Sequence, residues 1–318
     1  MLVVADFSKL PHGDRALAIG TFDGVHVGHR RVIGAAVDTA RRRGLIATVL
    51  TFDPHPLSVI DPAHEPRLLT PFAVKAELIA ELDVDEIVVL AFDRRMADLE
   101  AEGFCALVLD DRLAARVVVV GRNFTFAAGG KGTPASLRAC GRSGGFETIV
   151  VPLARAGGRP ISSTRIRRLL TDGELGEARE ILGRPPRTLG RVVRGFRRGT
   201  QIGYPTANIE AETGTMFPGR GVYAARAQVR GRWYRAAVNV GHNPTFVHHG
   251  DETGVAHIEA YLLEFAGDIY DEPIRVDFLT RIRPEQAFEY VDDLVDRLRV
   301  DIAETAALDD TAYLEVGL

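Results

Sequence analysis

The sequence predicts a chain of two unlike halves: an α/β half built on a parallel sheet, then a mainly β half that ends in a helix. Two observations carry this prediction. In the first half, nearly continuous apolar strands alternate with helical patterns, which is typical of a parallel sheet covered on both faces. In the second half, short strands between glycine-bounded turns indicate an antiparallel barrel or sandwich. The 318 residues are enough for two domains, because a domain usually has ~100–200 residues.

The apolar pattern of the first half gives the elements in order. Strands are predicted at residues 16–19, 45–52, 86–92, 116–120 and 149–151. Helices are predicted at residues 30–43, 70–82 and 99–113. Three motifs, at residues 20–29, 53–56 and 121–126, directly follow strands. Because ligands bind beyond the carboxyl ends of parallel strands, we expect these motifs to meet at one edge of the sheet.

The second half begins after a Gly-Arg-Pro-Pro-Arg segment at residues 183–187. Adjacent prolines block a helix and stiffen the connection, so we expect domains at residues 1–183 and 187–318. Strands are predicted at residues 189–193, 221–229, 233–240, 255–263 and 274–281. A helical pattern covers residues 284–306, with one apolar side formed by Phe288, Val291, Leu294, Val295, Leu298 and Ile302.

The composition excludes several classes of protein. A net charge of −4 gives no overall attraction to nucleic acid or to an anionic membrane. The two cysteines, Cys105 and Cys140, cannot build a disulfide framework or a cysteine-rich zinc site, and we expect both to act as small apolar residues. Residues 1–10 show no secretory signal, and no apolar run reaches the ~20 residues of a membrane span. We therefore expect a cytoplasmic protein with small-molecule partners and neither nucleic-acid nor membrane partners.

Residues 20–30, Gly-Thr-Phe-Asp-Gly-Val-His-Val-Gly-His-Arg, form the most informative motif. A strand, a glycine-rich turn and a helix start place backbone N–H groups where an anion would bind. His26 and His29 flank Gly28 and add side-chain donors, and glycine lets a phosphate approach the backbone. The motif lacks the lysine and hydroxyl residue of a Walker A loop. It resembles the signature of the nucleotidylyltransferase superfamily, although a turn with two surface histidines is the alternative.

Further motifs extend the resemblance over almost the whole chain. In order, they lie at residues 20–30, 51–56, 161–167, 203–208, 221–223, 239–246 and 258–263. Together they resemble the prokaryotic bifunctional riboflavin kinase/FMN adenylyltransferase family, also called FAD synthetases. The resemblance implies a Rossmann-like nucleotidylyltransferase domain followed by a riboflavin-kinase-like antiparallel β-barrel with a terminal helix. It also implies phosphorylation of riboflavin to FMN, then adenylyl transfer to FMN giving FAD and pyrophosphate, with ATP as co-substrate and Mg²⁺ as cofactor.

For adenylyl transfer, the resemblance implies that His26 and His29 hold the ATP phosphates and favour the charge that develops on the leaving pyrophosphate. In-line attack at phosphorus depends on positioning and donors, which suits two histidines. The other ATP-binding residues that it implies in this half are Gly20, Phe22, Gly28, Ser162, Ser163, Thr164 and Arg167. Helix capping is the alternative role for the hydroxyl residues at 162–164.

The resemblance assigns flavin binding to Asn123 and Phe124. Many relatives have Asp in place of Asn123, Arg in place of Thr125 and Gly in place of Ala127, so the flavin contact here departs from the family pattern. Asn123 still offers amide donors and an acceptor. Core packing is the alternative for Phe124, as it is for Phe126.

For the kinase reaction, the resemblance makes Thr206 and Asn208 ligands of Mg²⁺ and places Gly203 and Thr206 at the ATP phosphates. Oxygen ligands of this kind suit magnesium. It also makes Glu259 the base that takes the proton from the ribityl 5′-hydroxyl. A carboxylate is costly to bury in the apolar strand at residues 258–263 unless it is paired or useful. A surface glutamate is the alternative.

Three other interpretations of the sequence compete with this one. An arginine-rich stretch suggests a nucleic-acid surface, but it has few interleaved aromatics; it comprises Arg184, Arg187, Arg191, Arg194, Arg197 and Arg198. A non-catalytic flavin- or nucleotide-binding regulator would not require a base such as Glu259. An RNA-linked enzyme with a histidine nucleotide site lacks a Lys-Met-Ser-Lys-Ser-like loop here.

Overall fold

The computed structural model describes residues 1–110, 113–195, 198–241 and 257–309. The chain divides into two compact units, one of Met1–Arg67 with Phe72–Ser162 and one of Leu68–Pro71 with Ser163–Leu318. Parts of four predicted segments lie outside the described residues. They are 111–112 of the helix at 99–113, 196–197 of the arginine-rich stretch, 242–246 of the 239–246 motif, and 255–256 of the strand at 255–263.

The first unit is built on six strands. These are β1 (Leu2–Val4), β2 (Arg15–Ile19), β3 (Ile46–Asp53), β4 (Glu86–Ala91), β5 (Ala115–Gly121) and β6 (Glu147–Val151), with a small hairpin of β7 (Arg155–Ala156) and β8 (Arg159–Pro160). The helices are α1 (Val27–Arg43), α2 (Pro56–Ile60), α3 (Phe72–Ala80), α4 (Arg94–Ala97), α5 (Ala101–Phe104) and α6 (Pro134–Gly144). The alternation of strand and helix that the sequence predicts is confirmed.

All six main strands are parallel, in the order β1-β4-β3-β2-β5-β6. The chain runs outward from β2 through β3 to β4, then returns to place β5 on the other side of β2. The strand order therefore reverses between β2 and β5, and ligands bind at such a switch point in open α/β sheets. Because the residue 20–30 motif follows β2 and the residue 121–126 motif follows β5, both lie at this point.

Two predictions for the first unit need correction. The single helix predicted at residues 99–113 is wrong, because α5 gives way to a π-helical turn at Cys105–Asp110. Helix α6 was missed because its sequence, Pro-Ala-Ser-Leu-Arg-Ala-Cys-Gly-Arg-Ser-Gly, has few large apolar residues; a capping box between Thr133 and Ser136 marks its start. Both cysteines are free thiols buried in the core, as predicted.

The second unit is a closed antiparallel barrel with helices outside it. Its strands are β9 (Arg187–Val193), β10 (Ala207–Ala211), β11 (Gly221–Val229), β12 (Arg232–Gly241), β13 (His257–Leu262) and β14 (Pro273–Arg283), paired in the order β10-β13-β12-β11-β14-β9. Its helices are α7 (Ser163–Asp172), α8 (Leu175–Leu182), α9 (Arg198–Gln201) and α10 (Val291–Ala307). The structure thus decides for a barrel over a sandwich.

Alternation along the strands separates the barrel interior from the outer face. In β13, Ile258, Ala260 and Leu262 are buried, whereas Glu259 and Tyr261 are half-buried and face outward. Strand β10 was not predicted, because its five residues contain only one large apolar side chain. The predicted helix at residues 284–306 begins too early: α10 starts at Val291, with Asp292 and Asp293 in its first turn, where carboxylates favour a helix start.

Candidate active sites

In the first unit, His26 caps helix α1, which starts within the residue 20–30 motif. Its Nδ1 accepts a hydrogen bond from the backbone N–H of His29 at 3.1 Å, so the imidazole serves as the N-cap of α1. An Nδ1 that accepts this bond leaves the proton of a neutral imidazole on Nε2. His26 can therefore donate from Nε2 while its ring is held by the helix.

The aromatic side chains of the motif pack as a unit. The His26 and His29 rings stack with centroids 3.5 Å apart and planes 18° apart, and the Phe22 ring is perpendicular to the His29 ring with centroids 5.3 Å apart. A side chain at Gly28 would put its Cβ 3.1 Å from the His26 ring, and one at Gly20 would meet the Phe22 ring at the same distance. Glycine at these two positions thus leaves room for the rings. This is a second reason for glycine here, besides the predicted close approach of a phosphate to the backbone.

The His29 side chain is held uncharged. Burial, followed by the charges of His26 and Lys75, lowers the pKa of His29 well below 6.5. Its Nδ1 is buried and has no hydrogen-bond partner within the described part of the chain. Buried polar atoms normally have partners, so this nitrogen is suited to receive one from a bound molecule.

Lys75 of α3 is a site residue that the sequence analysis missed. Only 7% of its surface is exposed, which is rare for lysine. Burial lowers its pKa, and the charges of Asp23 and Asp53 oppose that effect. Asp23 follows β2 and Asp53 ends β3, so the lysine lies at the same sheet edge. The sequence signal for its burial is its spacing, because it lies three residues before Leu78 and four before Ile79, on the buried side of the helix.

The predicted flavin residues follow β5 and differ in burial. Asn123 is exposed, and a Cβ at Gly121 would lie 3.3 Å from its Oδ1. Phe124 is half-buried and stacks on Phe126 with centroids 5.7 Å apart. Phe126 is buried in the core against Phe104. Of the two phenylalanines, Phe126 is therefore a core residue, and Phe124 is the one with a partly exposed ring.

The second predicted phosphate element lies at the start of α7. Ser162 precedes the helix, Ser163 is its first residue, and all four side chains are half-buried or exposed: Ser162, Ser163, Thr164 and Arg167. The division between the two units falls between Ser162 and Ser163. Ile166, Leu169 and Leu170 are buried, so they anchor the helix in its own unit.

In the second unit, a cleft of about 250 Å³ lies against the outer face of the barrel. One wall is polar and carries Thr206, Asn208, Asn239 and Glu259. An apolar wall is formed by Phe288, Leu294, Leu298 and Ile302, which lie outside the barrel strands. The sequence predicts these four residues on one side of a helix, and in the structure they line the cleft.

Strand register brings the polar residues together. Glu259 of β13 lies directly opposite Asn208 of β10 and, on the other side, directly opposite Asn239 of β12. Side chains at directly opposite positions project from the same face with Cβ atoms about 4.5–5.5 Å apart. The two predicted residues Asn208 and Glu259 are therefore neighbours, although they lie 51 positions apart in sequence. Asn239 was not singled out, and only its presence in the 239–246 motif indicated it.

Close backbone approach shapes the part of this cleft around Asn208 and Thr206. A Cβ at Gly195 would lie 2.2 Å from the Asn208 amide, and one at Gly199 would lie 2.2 Å from the Tyr204 carbonyl and 3.2 Å from the Thr206 hydroxyl. Gly203 has a φ of +86°, which a side chain would strain. Backbone thus lies close to two side chains with hard oxygen donors, a donor set that fits Mg²⁺.

A buried ion-pair network contributes two lining residues, Arg283 and Asp301, to the cleft. Asp301 of α10 is 1% exposed and accepts from Arg283 through two nitrogens and from Arg297 at 2.9 Å. Arg283 also lies over the Phe288 ring, 5.7 Å from its centroid. Because Arg283 ends β14, this network fastens the apolar wall to the barrel.

The arginine-rich stretch makes contacts within its own unit. Arg187 binds both carboxylate oxygens of buried Asp277, Arg191 donates to the Asp271 carbonyl, and Arg194 lies over the Tyr270 ring. Arg197 lies outside the described residues. These internal contacts account for three of the basic residues.

Comparisons with known proteins agree with this two-unit arrangement. Residues 9–165 match the family model described as FAD synthetase, and residues 182–308 match the one described as riboflavin kinase. The bifunctional riboflavin kinase/FMN adenylyltransferase of Listeria monocytogenes is 38% identical over 298 residues, which cover 92% of each chain. The enzyme of the same description from Escherichia coli K12 is 35% identical over 293 residues, 92% of this chain and 91% of that one.

One solved structure is similar over nearly its full length. The crystal structure described as a macrolide-efflux protein from Streptococcus pneumoniae has a TM-score of 0.86 and 32% identity, covering 97% of this chain and 99% of that chain. Within the ranges that the structure describes here, no helix has the length and apolar character needed to cross a bilayer.

Proposed function

The chain belongs to the bifunctional riboflavin kinase/FMN adenylyltransferase family, and we propose that residues 1–183 carry adenylyl transfer while residues 187–318 carry riboflavin phosphorylation. The protein phosphorylates riboflavin to FMN with ATP and then transfers the adenylyl group of ATP to FMN, giving FAD and pyrophosphate. The assignment of each reaction to its residues is supported by the geometry at two sites.

For adenylyl transfer, a phosphate oxygen of FMN attacks the α-phosphorus of ATP and the bond to pyrophosphate breaks. His26 and His29 bind the phosphates in this proposal, with Gly20, Phe22 and Gly28 shaping the turn. The stacked rings support it, because the N-cap bond holds His26 with Nε2 as its donor. Pre-positioned donors stabilise the charge that develops on the leaving group without reorganising during the reaction.

Because the pKa of His29 is low in the free protein, substrate binding can change the protonation state of its ring. A neighbouring opposite charge favours the protonated form of an imidazole. When ATP brings its phosphates to the buried Nδ1 of His29, the pKa rises and the ring gains a second N–H donor. We expect Ser162, Ser163, Thr164 and Arg167 to bind ATP phosphates, as the family resemblance implies. Asn123 and Phe124 contact the flavin, with the partly exposed ring of Phe124 stacking on isoalloxazine.

For the kinase reaction, the ribityl 5′-hydroxyl attacks the γ-phosphorus of ATP while Glu259 takes its proton. The position of Glu259 supports this role, because it lines a cleft that also has apolar lining residues, which suit a flavin ring. Gly203 and Thr206 bind the ATP phosphates. A positioned base is effective because the proton leaves as the oxygen attacks.

Thr206 and Asn208 would hold Mg²⁺, since both offer neutral oxygen donors beside a glycine backbone. When bound, the ion supplies positive charge to the ATP phosphates. Two protein ligands are enough for magnesium, because the ion keeps several of its waters.

The cytoplasmic location of the protein remains a prediction.

The observation that carries the proposal is the adjacency of Asn208 and Glu259 across β10 and β13, which puts a metal ligand beside a base. Its test is incubation of the purified full chain with riboflavin, ATP and Mg²⁺, followed by separation of the flavins. Formation of FMN and FAD is the expected result, and omission of Mg²⁺ should abolish both. Unchanged product yield in the presence of EDTA would contradict the magnesium assignment.

A further inference from the structure

Asn239 completes a row of three polar side chains across neighbouring strands. Asn208 of β10, Glu259 of β13 and Asn239 of β12 are register partners, and all three line the same cleft. The proposed chemistry uses Asn208 and Glu259 but leaves Asn239 without a role. On its other side Asn239 lies opposite Val222 of β11, which is apolar. Across the strands, the polar neighbour of Asn239 is therefore Glu259.

We propose that Asn239 is a positioning residue for riboflavin phosphorylation, whose amide orients the Glu259 carboxylate toward the hydroxyl that it deprotonates. The proposal rests on the assignment of Glu259 as the base. An amide NH₂ is a donor, and an ionised carboxylate only accepts, so the pair is complementary at the short distance between directly opposite strand positions. A carboxylate fixed by one such bond keeps its remaining lone pairs for the substrate.

A second carboxylate near the amide explains why a neutral donor is needed here. A Cβ at Gly241 would lie 2.1 Å from the Oε1 of Glu285 and 3.4 Å from the Nδ2 of Asn239. The Asn239 amide and the Glu285 carboxylate therefore both approach Gly241, and Glu259 is the register partner of Asn239 on the next strand. An aspartate at this position would add a third negative charge, whereas an apolar residue would leave Glu259 without a donor on this side.

The test uses four variants of the full-length protein: N239A, N239D, E259Q and the double variant N239A/E259Q. N239A should lower kcat for riboflavin phosphorylation by up to about 100-fold, because a small misplacement of a reacting group can cost that much. The KM for ATP should stay unchanged. N239D, which has the same size, should lose at least as much. In the double variant, kcat should equal that of E259Q, since Asn239 acts through Glu259.

Two controls separate this role from a structural one. Gln228 carries an amide on the same barrel outside the cleft, and Q228A should keep the full kinase rate. Adenylylation of supplied FMN should be normal in every variant, which shows that the first unit is intact, and the unchanged KM for ATP in the kinase reaction shows that the barrel is folded. If N239A keeps the wild-type kcat while E259Q is impaired, the role of Asn239 is overturned and the role of Glu259 as the base stands. A further loss in the double variant would overturn action through Glu259. Full activity of E259Q would overturn the base assignment and this inference with it.

Discussion

The imidazoles of His26 and His29 stack with centroids 3.5 Å apart, and Nδ1 of the first accepts the backbone N–H of the second. One residue thus caps the helix that carries the other. The arrangement joins fold and chemistry, because the bond that starts α1 also fixes which nitrogen of His26 can donate.

Replacing both histidines with alanine tests their role. H26A/H29A should lower FAD formation from supplied FMN by on the order of several kcal/mol of transition-state stabilisation, since each lost donor costs about 100- to 1,000-fold. Riboflavin phosphorylation, measured in the same samples, should be unchanged. His64 is exposed and pairs with Asp61, so H64A serves as the control and should keep both rates. Equal loss of both activities in a folded H26A/H29A protein would indicate one shared nucleotide site.

Removal of the Lys75 charge should raise the pKa of His29. The positive charge of Lys75 is one of the causes that lower this pKa, so K75M removes a repulsion against the imidazolium. NMR titration of the ring protons measures the change. K9M, at an exposed lysine, is the matched control and should leave the value alone. An unchanged or lower His29 pKa in K75M would show that the lysine does not act on this ring.

The same pKa predicts how stability depends on pH. The folded pKa of His29 lies well below 6.5, the ordinary value expected in the unfolded chain. Between these two values the unfolded chain holds a proton that the folded protein lacks. The contribution of His29 to the free energy of unfolding therefore falls as pH drops below 6.5 and is constant above it.

Urea unfolding of wild type, H29N and H64N between about pH 5 and pH 8 measures this contribution. Below pH 6.5, the free energy of unfolding of H29N should fall less with acid than that of wild type. The free energy of unfolding of H64N should show nearly the same pH dependence as that of wild type. Identical pH dependence in wild type and H29N would mean that His29 is not held neutral by burial.

Separation of the two units should leave the kinase site intact. Every residue that lines the cleft lies after Pro186, so a piece that begins at Arg187 should phosphorylate riboflavin. A longer piece that begins at Ser163 should resist urea better than the piece that begins at Arg187, because it keeps α7. The Leu170 carbonyl of α7 accepts a hydrogen bond from Gly219, and the Asp172 carbonyl accepts one from Arg281. If the longer piece folds but lacks kinase activity, the kinase site is not independent of the first unit.

Local patterns predicted much of this molecule, and long-range pairing decided the rest. Strand β11 was predicted with its observed bounds because Gly221–Val229 is apolar and bounded by turns. The turn after β2 was readable because glycines and histidines stand directly after a buried strand. Burial of Lys75 was not, since it depends on Asp23 and Asp53 from two other elements. Likewise, the adjacency of Asn239 and Glu259 exists only through the pairing of β12 with β13.

The most direct test of the account is the rate of riboflavin phosphorylation by E259Q. The substitution keeps the size of the side chain and its hydrogen-bonding capacity but removes the carboxylate that accepts the proton. Riboflavin phosphorylation should fall by about 100- to 10,000-fold, the usual contribution of a general base. Riboflavin binding and adenylylation of supplied FMN should remain normal. Phosphorylation at the wild-type rate would contradict the account and leave Glu259 as a side chain of the cleft wall with no part in the reaction.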